Sequence, residues 1–148
     1  MNPLQFLVPL GPLEAVAGLV PWAVFALAVV TLGTRLLAQN RYERQAQEGD
    51  DDERLERYLP HSVAMTLLML SSFLFAVVEP HGGVVMSVLV IGAFLADFFE
   101  FESRKVEARN ELAFEQPKAA IGASMLVLGY AAFQTLFQFV APIWNAVV

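Results

Sequence analysis

The stretch VVMSVLVIGAFLADFFEFESRK, Val84 to Lys105, decides how the chain is read. From Val84 to Ala96 every residue is apolar or small, then Asp97 appears, then Glu100, Glu102, Arg104 and Lys105 in close succession. An apolar run that reaches toward 20 residues and ends in charge is long enough, at about 1.5 Å rise per residue, to cross a hydrocarbon layer of about 30 Å. Three further segments have this character. The spans run over about 13–38, 62–78, 84–101 and 119–144 of a single membrane domain covering 1–148. Charged segments at 39–61 and 102–118 separate them.

All nine lysines and arginines lie in or beside those two charged segments: Arg35, Arg41, Arg44, Arg54 and Arg57, then Arg104, Lys105, Arg109 and Lys118. Basic loops stay cytoplasmic because positive charge resists translocation. The expectation is therefore an all-α, multi-pass protein of the cell membrane. It has four transmembrane helices in two hairpins and both termini outside. The Glu79-Pro80-His81-Gly82-Gly83 turn then faces outward, and Trp22 and Trp144 fall near the outer ends, where an aromatic belt belongs. The start of the chain lacks the basic n-region and cleavage pattern of a signal peptide, so the first span is expected to be retained.

Composition agrees. The residues are 57% hydrophobic, above the roughly 45–50% of soluble domains. Fifteen carboxylates against nine cations give a net charge of −6, which disfavours nucleic acid as a partner. Loops such as Gly49-Asp50-Asp51-Asp52-Glu53-Arg54 keep a surface hydrated at molar salt, a halophilic trait; a solvated loop of a mesophile is the plainer alternative. The absence of cysteine excludes disulfides, thiolate metal sites, thiol catalysis and Cys-linked haem.

At the finer scale, two starts of the first span remain open: a helix from Pro12 kinked at Pro21, or a span that begins at Pro21. Met1–Gly11 is expected to be irregular in either case. Asp50, Asp51 and Asp52 offer N-caps to a surface helix carrying Leu55, Tyr58 and Leu59, which Pro60 would stop; a solvated loop is the alternative. The third span is expected to run on as a charged helix to about Asn110, supported by the Glu100–Arg104 pair.

Few residues offer chemistry. Asp97 with Glu100, one helical turn away, makes an intramembrane or interfacial acidic pair able to accept a proton or attract a cation; the alternative is pairing with an arginine. Gln134 and Gln138 lie one turn apart and would contact a quinone carbonyl, a second subunit or a neighbouring helix. Glu79 and His81 form a possible outer-face pH or metal group, though two ligands on a turn make a weak site and no metal is assigned. His61 and His81 stand about 30 Å apart along one helix, which rules out bis-histidine ligation of one haem within one copy. His61, beside Pro60, reads as a helix start. Gly92 with Ala96, and Gly122 with Gly129, suggest close helix packing. Hydrolase, zincin, phosphate-loop and dinucleotide motifs are absent, so neither an enzyme nor a cofactor is expected.

Val78-Glu79-Pro80-His81-Gly82-Gly83 and the run from Phe94 to Asn110 resemble a small haloarchaeal integral-membrane family of unassigned function. The likeness extends from Met1-Asn2-Pro3-Leu4 to Pro142-Ile143-Trp144-Asn145. It implies a setting among haloarchaeal respiratory membrane proteins, near quinol-oxidising cytochrome b and Rieske-type complexes. No functional residue transfers with it. The expected role is a non-catalytic subunit or assembly factor whose partners are the bilayer and other membrane subunits, or itself. Its contact surfaces would be the loop around Asp50 and the segment Glu107–Glu111. The alternative is a small proton- or cation-coupled transporter acting as a homo-oligomer.

Overall fold

A computed structural model describes residues 10–48, 55–110, 112–114 and 116–147. The elements are α1 (Leu10–Val16), a 3-10 turn (Ala17–Leu19), α2 (Val20–Glu48), α3 (Leu59–Val78), α4 (Pro80–Arg109) and α5 (Lys118–Val147). Four helices are long and apolar enough to cross a membrane: Glu14–Gln47, Leu59–Val78, Pro80–Arg109 and Lys118–Phe137.

Prolines set the helix starts. Pro21, Pro60 and Pro80 each stand in the first turn of a helix, where the missing N–H has no partner to lose. Pro60 therefore opens α3 rather than ending a surface helix, and Leu55–Tyr58 is non-helical. Asp50, Asp51 and Asp52 lie outside the described residues. The 3-10 turn separates α1 from α2, so the chain is helical from Leu10 on, with a break just before Pro21. Leu10 and Gly11 are helical rather than irregular, while 1–9 lie outside the described residues. At the far end of α3, Glu79 alone makes the reversal. Its extended backbone (φ −136°, ψ 93°) donates its N–H to Phe75 O at 2.8 Å and offers its carbonyl to Gly83 N at 2.8 Å. As expected, the third span runs on as a charged helix, which ends at Arg109 and is capped by the Asn110 side chain on Val106 O at 3.0 Å.

The helices form a ring in which α2 packs on α3 and α5, and α4 packs on α3 and α5. Each turns an inner stripe at three-and-four spacing toward the axis: Val20, Val24, Ala28, Thr31, Arg35, Ala38 and Tyr42 on α2; Met86, Val90, Ala93, Asp97, Phe101 and Arg104 on α4. Most of this length is apolar core, with Met65, Leu68 and Phe75 from α3 and Val127 and Ala131 from α5. A smaller cluster of Ala38, Tyr42, Leu55 and Phe101 closes the basic end. The outward faces keep bulky apolar side chains exposed, Val88, Phe99, Leu126 and Ile143 among them.

Among the described glycines, Gly83 makes the closest approach to a neighbouring backbone. A Cβ there would stand 2.2 Å from Ala76 Cα, so only glycine lets α3 and α4 meet at this point. Ser87 Oγ, within 2.8 Å of Gly83 O and 3.0 Å of Ser72 O, ties the same two helices. The small residues expected to mediate packing do otherwise. A methyl group at Gly92, Gly122 or Gly129 would meet nothing within 4 Å among the described residues, and all three face outward.

Candidate functional site

Between the apolar core and the basic-end cluster lies one polar layer, built by a residue from each inner stripe. α2 supplies Arg35, α3 His61, α4 Asp97 and α5 Ser124. Arg35 and His61 are buried.

Asp97 is the hub. Arg35 Nη1 donates to Asp97 Oδ1 at 2.7 Å, and His61 Nε2 stands 3.0 Å from the same oxygen. Arg57, from the α2–α3 connection, brings Nη1 to 3.7 Å from Oδ2. Arg57 is held in turn over the rings of Phe101 and Phe98, 4.4 and 5.4 Å from their centroids. Arg35 Nε donates to Ser124 Oγ at 3.0 Å. The second ring nitrogen of His61, Nδ1, lies 2.9 Å from Thr34 Oγ1, which also lies 3.1 Å from Thr31 O. Thr34 has one hydroxyl proton for two acceptor positions. It donates to Nδ1 when that nitrogen is bare and accepts from it when that nitrogen is protonated, turning its own proton to Thr31 O.

Asp97 pairs with an arginine from another helix, Arg35. Glu100 turns to a separate group on its own helix. Its carboxylate lies 3.8 Å from Arg104 Nη2, and Arg104 Nε faces Glu107 Oε2 at 3.0 Å, out of hydrogen-bond alignment. Arg104 is buried and packs over Phe114. Arg35, Gln39, Tyr42, Asp97, Glu100 and Arg104 all line one small cavity of about 20 Å³.

The remaining expected residues lie elsewhere. Gln134 donates from Nε2 to Tyr130 Oη at 2.9 Å and packs against Gly82 at the opposite end of the bundle. The side chain of Gln138 and residue Glu111 lie outside the described residues. Glu79 and His81 are exposed at the α3–α4 reversal. Among the described residues no group of three metal-ligating side chains occurs. Trp22 packs edge-on against Phe139, which places the start of α2 beside the far part of α5.

Sequence reasoning does not bring Arg35, His61, Ser124 or Thr34 to the site. Arg35, at the inner end of the first span, reads only as part of the basic cluster that orients the chain, and His61 reads by its neighbour Pro60 as a helix start. The signal lies in the spacing: Ala28, Thr31, Arg35 and Ala38 continue one buried face.

The family model described as a domain of unknown function (DUF7313) matches residues 2–148. No curated protein and no solved structure matches the chain.

Proposed function

We propose that this chain, which belongs to the DUF7313 family, is a non-catalytic scaffold subunit or assembly factor of a larger membrane complex. One observation carries the reading. Asp97, the carboxylate within the apolar run, is engaged by Arg35, His61 and Arg57 from three other parts of the chain. An acid held in this way is a joint between helices. An ion path needs the carboxylate free to exchange partners, and burial of a paired charge resists that exchange. The outward apolar faces suit lipid or another membrane subunit. The basic segments lie on the cytoplasmic side in this reading, with both termini and the Glu79–Gly83 reversal outside.

The respiratory setting implied by the resemblance to a small haloarchaeal membrane family of unassigned function makes a quinol-oxidising cytochrome b and Rieske-type complex the host to test. Tagged protein is purified from native membranes in mild detergent at native salt, and the co-purifying chains are identified. Cytochrome b or Rieske subunits in stoichiometric yield are the expected result. Recovery of a lone monomer overturns the proposal.

A second reading, proton-coupled transport by a homo-oligomer, is favoured by the Thr34–His61–Asp97 chain, in which the Thr34 hydroxyl can turn to satisfy His61 Nδ1 whether that nitrogen is bare or protonated. In this reading Asp97 and Glu100 lie on the path. Asp97→Asn then abolishes proton flux in vesicles of the reconstituted protein; unchanged flux removes Asp97 from any such mechanism.

A further inference from the structure

We propose that the pocket between Arg35 and Arg104 holds one small monovalent anion of chloride size. The inference does not depend on the scaffold reading.

Two buried guanidinium groups line this pocket, each 4% exposed. Each has a nitrogen with no hydrogen-bond partner among the described residues: Nη2 of Arg35 and Nη1 of Arg104. Buried donors left unsatisfied are rare, because the desolvation of a charged group is then uncompensated. The third donor is Tyr42. Its hydroxyl oxygen already accepts the Tyr58 N–H at 3.1 Å, so its own proton remains to be donated. Gln39 commits its amide to Glu43 Oε1 at 3.2 Å.

The pocket volume, about 20 Å³, exceeds the roughly 10–15 Å³ that one water-sized particle requires, so one small particle fits. Water fits the space but matches the wall poorly. It accepts two hydrogen bonds and brings two protons that themselves need acceptors. A halide is an acceptor only, so it suits a wall of donors and brings no proton of its own. The acidic groups on the wall are Asp97 and Glu100. Asp97 Oδ1 is taken by Arg35 and His61, and Oδ2 faces Arg57, so its charge is compensated. Glu100 is less so, with Arg104 at 3.8 Å, and it opposes the anion.

The full chain in mild detergent is titrated with sodium chloride against sodium gluconate at constant ionic strength, and unfolding temperature is followed. A saturable rise specific to chloride is expected. Tyr42→Phe keeps the ring against Phe101 and weakens the apparent chloride affinity about tenfold; Glu100→Gln strengthens it. A protein merely stabilised by salt shows neither change. Crystals grown in bromide carry an anomalous peak between Arg35 and Arg104. Superimposable chloride and gluconate curves, or a pocket holding water alone in bromide crystals, overturn the proposal. Should Tyr42→Phe fail to fold, Glu100→Gln gives the same discrimination.

Discussion

Arg35 and Asp97 join two helices that are not neighbours in the ring. α2 and α4 each pack against α3 and α5, and the 2.7 Å contact from Arg35 Nη1 to Asp97 Oδ1 spans the diagonal between them. The pair is buried enough that neither charge is at home without the other, which makes it the point where substitution has the largest consequence.

Arg35→Met strands Asp97 with only His61 and the more distant Arg57. Loss of one partner of a buried pair costs about 3–5 kcal/mol. Asp97→Asn in the same chain should recover part of that loss, because the uncompensated charge goes with it. Unfolding of the two single variants and the double variant in detergent measures the coupling. Additive effects would show that the two residues do not act as a pair.

Gly83→Ala places a methyl carbon 2.2 Å from Ala76 Cα, and the flanking backbone must move. A cost of about 1–3 kcal/mol, or more, is expected from such overpacking. Gly92→Ala meets open space and exchanges glycine for a better helix former, so it should be neutral or gain up to about 1 kcal/mol. Parallel melts of the two variants separate the contact from general helix propensity. Equal effects would mean that the α3–α4 approach is not as tight as described.

His61 faces a carboxylate with Nε2 at 3.0 Å and a hydroxyl with Nδ1. Nitrogen-15 spectra of the labelled protein should therefore show Nε2 carrying a proton. Thr34→Val removes the Nδ1 partner and should shift that nitrogen's signal while Nε2 changes little. A bare Nε2 would require the ring to be turned, and the link to Asp97 would fall.

Topology is accessible because the chain has no cysteine of its own. Single cysteines introduced at Asp51 and at the exposed His81 should react with impermeant reagent from opposite sides of sealed vesicles. Labelling from one side would overturn the proposed orientation.

The four long helices are legible in the sequence because apolar length and charge placement are local properties. The α4 extension past Glu100 is legible for the same reason, since its supporting pair lies within one helix. What stays hidden depends on facing. Arg35, near the end of the first span, reads as one of the orienting cations until its face of α2 is known to turn inward. His61 reads as a helix start until α3 is known to begin two residues earlier, at Leu59, with His61 turned inward. The glycines show the same limit. Gly92, Gly122 and Gly129 have helical spacing yet face outward, while Gly83, which reads as a turn residue, makes the close approach.

A ring of four rods touching only side by side can lean into a lozenge without lengthening any contact. A single strut across one diagonal forbids that deformation. The Arg35–Asp97 pair is such a strut, and the Tyr42–Phe101 ring contact spans the same diagonal at the same end. Leaning of the ring should therefore be suppressed at the basic end, where the diagonal is braced, while at the other end the Gly83 approach and Ser87 hold α3 to α4 but brace no diagonal.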